Sequence, residues 1–211
     1  MKPRVTVVDY GLGNLHSVIK ACAFVGAEVD VATDGEAVAR AERLVLPGVG
    51  AFADGMAGLR GRGQVAALRE FAASGRPVIG ICLGAQLLLG ESEEFGRHKG
   101  LGIISGRVVM IPAGEAKVPH VGWGQMRPPT KRAWEGTLLG DMAQGTWAYF
   151  IHSLHCVPED TADVLATVQH GPHELTAVVR RRNVTGFQFH PEKSGQQGLA
   201  ILRSFLNIAR K

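Results

Sequence analysis

The sequence predicts an α/β fold, with a mostly parallel central sheet covered by helices on both faces and a smaller antiparallel or mixed sheet beside it. Three observations carry that expectation. Over the first 90 residues, short apolar or β-branched runs alternate with segments of helical spacing. Among them RLVLPG and PVIGIC are continuous apolar stretches rather than alternating ones, as strands buried on both faces of a parallel sheet must be. After Gly100 the texture changes to shorter strand-like pieces separated by turn residues, which suits antiparallel pairing.

The elements follow in order. RVTVVD at 4–9 is a first strand, and Leu15, Val18, Ile19 and Cys22 recur at helical spacing until Gly26 stops the helix. AEVDVA at 27–32 and RLVLPG at 43–48 read as buried strands, one helical stretch is expected from Ala53 to Ala73, and PVIGIC at 77–82 is another strand. GRVVMI, KVPHVGWGQM, TWAYFIHSLHCV, ADVLATVQ and ELTAVVRRRNVTGFQF continue as strands, with a hairpin turning near Arg182 and Asn183. Leu199, Leu202, Phe205, Leu206 and Ala209 mark an amphipathic closing helix capped by Ser194. No repeat or linker divides the chain, so residues 1–211 are expected to form one domain.

Composition narrows the function. A chain of 211 residues, 45% hydrophobic and 20% charged, can bury one substantial core. The net charge of +4 is scattered apart from short clusters such as RRR at 180–182, which read as a solvated hairpin tip. Without interleaved aromatics this argues against nucleic acid and suits an acidic partner or a phosphorylated metabolite. The three cysteines, Cys22, Cys82 and Cys156, form no CxxC pair, which indicates neither a disulfide framework nor a zinc site and suits a reducing cytoplasm. No segment approaches the roughly 18 apolar residues of a membrane span, so a soluble intracellular protein is expected.

The chemistry centres on GICLG at 80–84. Glycines two residues either side of Cys82, where a strand gives way to a helix, fit a sharp turn that holds the central side chain in a strained conformation at the carboxyl end of the sheet. The following helix presents its positive end there, favourable to a sulfur anion. GFQFHPEKSG at 186–195 adds the other groups. Pro191 keeps His190 extended, and His190 and Glu192, two apart, share a face, so the carboxylate can orient the imidazole. A histidine steered by a carboxylate beside a cysteine can take the thiol proton and return it to a leaving amine. LPGVGAF at 46–52 ends another strand in a glycine loop whose backbone N–H groups, with that of Leu83, can face a developing oxyanion.

Two competing readings fail on spacing. DYGLGNLHS at 9–17 follows a strand as a dinucleotide fingerprint would, yet His16 occupies the third glycine position. HSLHC at 152–156 holds two histidines three apart on a probable strand, pointing to opposite faces and unsuited to one metal ion.

PGVG, GICLG and HPE, in this order, resemble the class I, triad-type glutamine amidotransferases from end to end. The resemblance implies a flavodoxin-like three-layer fold, Cys82 as nucleophile, His190 as base and acid, Glu192 as orienting carboxylate, and Gly50 and Leu83 as oxyanion donors. DYGLGNLHS, PGVGAF, SEE at 92–94, KVPHVGWG at 117–124, YFIHS at 149–153 and GFQFHPEKS are most similar to the glutaminase subunits of imidazole glycerol phosphate synthase. That similarity implies L-glutamine as substrate, held by Gln86, Glu94, His152 and Ser153. Its implied partner is a (β/α)8 barrel cyclase, faced by Asn14, Trp123, Tyr149 and Lys193, with no cofactor or metal on this chain. The cyclase uses the ammonia to form imidazole glycerol phosphate and aminoimidazole carboxamide ribotide in histidine biosynthesis. Family glutaminases of this kind are nearly idle until the partner binds its ligand, and the PGVG loop is expected to be the two-state element. Gly124 stands where the family usually has Asn, and Ala85 where it often has Met. Alternatives are a glutaminase serving another synthase, such as that for pyridoxal phosphate, or a related cysteine peptidase or non-catalytic binding module.

Overall fold

The computed structural model describes residues 2–208 apart from residues 115, 131 and 132. The first part of the chain runs β1 (Arg4–Val8), α1 (Leu15–Phe24), β2 (Glu28–Ala32), α2 (Gly35–Arg40) and β3 (Leu44–Leu46). It continues through α3 (Phe52–Gly61), α4 (Gln64–Ala73), β4 (Val78–Ile81) and α5 (Leu83–Leu87). Strands then dominate: β5 (Leu89–Ser92), β6 (His98–Lys99), β7 (Ile104–Met110), β8 (His120–Arg127) and β9 (Trp147–His152). After β10 (Leu154–Pro158), β11 (Val164–His170), β12 (His173–Arg181) and β13 (Val184–Phe187), helix α6 (Gly195–Leu206) closes the described chain. Ala209, expected on that helix, lies outside the described residues.

A nine-stranded sheet has the order β2-β1-β3-β4-β13-β12-β11-β8-β9. It is parallel from β2 to β13 and antiparallel from β13 to β9. A second, four-stranded sheet, β10-β7-β5-β6, is mixed, with β7 antiparallel to β10 and parallel to β5. Most of the antiparallel strands thus extend the central sheet rather than form a separate one. The cause is the hairpin at Arg182–Asn183, where Arg182 adopts φ +55 and turns β12 back along β13, which itself lies beside β4.

Alternating side chains divide the core in two. Val5, Val7, Val45, Ile79 and Ile81 face Val18 and Cys22 of α1 and Ile201, Leu202 and Phe205 of α6. Val8, Leu44, Leu46 and Val78 face Phe52, Met56 and Leu59 of α3 and Leu68 and Phe71 of α4. Every one of these side chains is buried, the condition under which a sheet carries helices on both faces.

Three local expectations are corrected. Strand β2 forms the sheet edge and only Ala32 in it is buried, because β1 covers one side and nothing among the described residues pairs with the other. The helix expected over 53–73 is two helices. Gly61 and Gly63 flank Arg62, and Gly63 takes the left-handed φ of +65, which ends α3 and restarts the chain as α4. Ser194 stands at the cap position of α6 but its hydroxyl does not cap the helix; it donates to the His190 carbonyl at 2.7 Å and accepts from the Tyr149 N–H at 3.0 Å.

Candidate active site

β4 ends at Ile81 and α5 begins at Leu83, leaving Cys82 between them at φ +53, ψ −111. For a residue with a Cβ this conformation costs on the order of 1–3 kcal/mol and persists only where the surroundings impose it. They do so here through backbone contacts. The Cys82 N–H donates to Phe187 O at 2.7 Å, and the Cys82 carbonyl accepts from Ala85 and Gln86. A Cβ at Gly84 would collide with the Leu46 carbonyl, and one at Gly80 would lie 2.7 Å from the Gly84 carbonyl. The glycines are therefore demanded by crowding of backbone on backbone.

His190 follows the last central strand in an extended conformation, φ −103 and ψ 97, and its N–H donates to Tyr149 O at 3.0 Å. Its Nδ1 lies 2.8 Å from Glu192 Oε1, with both side chains almost fully buried. A carboxylate only accepts, so Nδ1 carries the hydrogen and Nε2 is left for the thiol. Nε2 makes no hydrogen bond of normal length, yet Cys82 is close enough to act on its titration. Burial opposes the imidazolium, but the Cys82 sulfur and the Glu192 carboxylate outweigh it and push the pKa up to about 9. Such a ring holds, near neutrality, the proton that a leaving amine requires.

The loop facing this pair is pinned at both ends. Tyr10 donates its hydroxyl to Pro47 O at 2.6 Å, and the Phe52 N–H donates to Glu94 Oε2 at 2.6 Å. Between the pins Val49 is 42% exposed and Gly50 has the positive φ of +107. The Leu83 N–H, expected to face an oxyanion, instead donates to Gly48 O at 3.3 Å. In this conformation the Gly48 carbonyl occupies that donor.

The expected substrate holders are also engaged internally. Glu94 anchors the loop. Gln86 Nε2 donates to Leu154 O and to Gln188 Oε1, each at 3.1 Å. His152 Nδ1 lies 2.8 Å from Leu154 O and its Nε2 lies 3.2 Å from His120 Nδ1, so both ring nitrogens are engaged within the protein in this conformation. Burial, against the opposing Leu154 carbonyl, pushes the His152 pKa down to about 3. Ser153 sits in the same turn, its carbonyl accepting from Ile111 N–H at 2.8 Å.

Trp123 and Tyr149, expected to face a partner, pair across β8 and β9 with ring centroids 6.0 Å apart. Val121, Trp147 and Ile151 are exposed on the same sheet face, a patch the sequence reading missed although the alternation 121, 123 and 147, 149, 151 encodes it. Lys193 is exposed on the short helix Pro191–Lys193, which packs against both β9 and α1. Exposed Asn14 precedes α1 and caps it, its Oδ1 accepting from Ser17 N–H. Gly124 points to the other face, where a Cβ would lie 2.6 Å from Val168 Cγ2. Sequence reading also missed Gln188, 2% exposed, whose Nε2 lies 3.9 Å from Cys82 Sγ. Its signal was a polar residue between Phe187 and Phe189, two positions before His190.

The sequence matches the family described as Glutamine amidotransferase class-I over residues 6–209. The chain belongs to this family. Among curated amidotransferase relatives it is similar to the imidazole glycerol phosphate synthase subunit HisH of Syntrophotalea carbinolica, 48% identical over 95% of this chain and 98% of that one. It is 45% identical to the subunit of the same name from Moorella thermoacetica, over 100% of this chain and 97% of that one. Solved structures show the same amidotransferase fold. PurLQS from Thermotoga maritima superposes with a TM-score of 0.76 at 21% identity over 98% of this chain and 99% of that one. The glutaminase domain of Trypanosoma brucei CTPS superposes with a TM-score of 0.66 at 15% identity, over 95% of this chain and 91% of that one.

Proposed function

We propose that this chain is the glutaminase subunit of an imidazole glycerol phosphate synthase, with Cys82, His190 and Glu192 as its catalytic triad. The observation that carries the reading is the strained Cys82 turn beside the buried His190–Glu192 pair, and full-length similarity to HisH subunits supports the choice of synthase. Cys82 Sγ attacks the side-chain carbonyl carbon of L-glutamine, and the carbon–nitrogen bond breaks as His190 Nε2 protonates the departing nitrogen to ammonia. His190 then takes a proton from water, whose oxygen displaces the sulfur and gives glutamate. Glu192 keeps the ring in the tautomer both steps need.

In this reading Val49–Gly50 is the switch. Both oxyanion donors are obtained only when the peptides around Gly48 and Gly50 turn and release the Leu83 N–H, and strong glutaminase activity in the isolated chain would count against it. The apolar face of Val121, Trp123, Tyr149, Trp147 and Ile151 receives the barrel cyclase, with Asn14 and Lys193 beside it. The His190 N–H bond to Tyr149 O ties that face to the triad. No helix among the described residues is long and apolar enough to cross a membrane.

The test is glutamate release with and without the cyclase and its ribotide ligand. Stimulation is expected, and Cys82→Ala is expected to lower the stimulated rate by at least about a thousandfold. Absence of stimulation would return the assignment to a glutaminase of another synthase, and full activity of Cys82→Ala would remove the triad.

A further inference from the structure

Gln188 is a buried amide that touches the sulfur and has no part in the triad. Its Nε2 lies 3.9 Å from Cys82 Sγ, within reach of a long hydrogen bond to sulfur. Which end of an amide faces a neighbour is settled by the network around it. Leu154 O can only accept, so the group 3.1 Å from it must be the NH2 of Gln86. That same NH2 lies 3.1 Å from the other end of Gln188, which must then be the carbonyl oxygen. The Gln188 NH2 is thereby turned to Cys82. The far end is fixed in the same way: His152 donates Nδ1–H to Leu154 O at 2.8 Å, and its Nε2 accepts from His120 Nδ1 at 3.2 Å. His120, His152, Gln86 and Gln188 are each 6% exposed or less, so water does not compete for these groups.

We propose that Gln188, polarised and held by Gln86, is a further catalytic residue that donates a hydrogen bond to the Cys82 sulfur as it prepares to attack. The donor acts where negative charge resides before attack and fixes the direction of the sulfur lone pair. His190 receives the proton and Gln188 steadies the atom that lost it. His120, His152 and Gln86 are positioning residues for that amide. The proposal rests on Cys82 being the nucleophile of the reading above.

The experiment uses the full chain with its cyclase and ribotide ligand, comparing Gln188→Met, which keeps shape without a donor, and Gln188→Glu, which sets a second acceptor against the sulfur. Both are read for kcat and KM with glutamine and for the rate at which iodoacetamide alkylates Cys82 in the absence of glutamine. Because Gln188 touches sulfur and not substrate, kcat and alkylation should fall together by roughly tenfold or more, with KM within about twofold. Gln86→Leu should lose as much as Gln86→Leu combined with Gln188→Met, since the first releases the amide that the second removes and either way the sulfur loses its oriented donor. If Gln188→Met or Gln188→Glu, whichever retains the parent melting temperature, keeps kcat and alkylation within twofold, or if the loss lies in KM, the proposal is overturned. If neither variant folds, an unimpaired alkylation rate in the folded Gln86→Leu overturns it instead. Cys82→Ala separates the failures: its inactivity alongside an unimpaired Gln188→Met sinks only this inference, whereas its activity sinks the triad reading itself.

Discussion

Single atoms decide what the catalytic turn tolerates. At Gly84, one methyl group has nowhere to go except into the Leu46 carbonyl, a backbone atom that cannot swing aside. Gly84→Ala is expected to cost about 1–3 kcal/mol, seen as a lower denaturation midpoint, with glutaminase activity lost because the Cys82 turn must open to relieve the clash. Glu192→Gln preserves shape but lets the amide donate to Nδ1, turning the ring to the wrong tautomer. The stimulated kcat should fall by roughly a hundredfold or more while the chain remains folded. At this scale the sequence was informative where a residue type is forced by its position. Gly80, Cys82, Gly84, His190 and Glu192 are legible because few other residues satisfy a crowded elbow or a buried ion pair. Gln188 was not, since which of its neighbours a buried amide meets depends on strands distant in sequence. The engagement of His152 by His120, 32 residues earlier, was hidden for the same reason.

Strands β8 and β9 show what an element does with two faces. The inner face carries Gly124, Phe150 and Ala148 into the core, while the outer leaves Trp123 and Trp147 about half exposed, at 53% and 51%. Large aromatics on an uncovered sheet face contribute little to folding and much to association. Trp147→Ala should therefore weaken cyclase binding by more than about 1 kcal/mol, measured by calorimetric titration, and leave the melting temperature of the isolated chain nearly unchanged. Gly124→Asn should do the reverse, lowering stability by roughly 1–3 kcal/mol through overpacking against Val168. Strand and helix positions were readable from periodicity. The break at Gly63 was not, because the apolar spacing of α3 runs on into α4 and only the glycines betray the change of direction.

For the molecule as a whole, buried histidines pull stability in opposite directions. His120 and His152 are held neutral by burial, with pKa values pushed down to about 4 and about 3. Between those values and 6.5 the unfolded chain binds protons the folded chain refuses, so stability falls as pH falls through that window. His190 is the opposite case: its pKa is raised to about 9, so its contribution is fully present below 6.5 and is lost as pH rises through 9. Melting temperature should therefore peak near pH 6.5 and decline on both sides. His120→Asn, keeping a donor near the position of Nδ1, should flatten the acid limb, and Glu192→Gln the alkaline one. Thermal unfolding followed across pH 4–10 distinguishes these limbs; a profile without decline above pH 7 would contradict the His190 assignment. The layered architecture was predictable from the order of strands and helices. That the antiparallel strands would join the same sheet was not, since pairing between β13 and β4 joins segments more than 100 residues apart.

That late strand carries a consequence for how the protein comes into being. Until β13 has been synthesised, β4 has one bare side, and the apolar strip of Val78, Ile79 and Ile81 borders an open gap where half of the sheet will attach. A nascent chain stopped before Val184 would thus expose a sticky seam at the middle of its body rather than at its rim, and would call on chaperones while it waited. His190, the proposed acid and base, lies only three residues past the strand that closes this seam, so on that reading a chain competent to turn over glutamine is also one whose sheet can be completed.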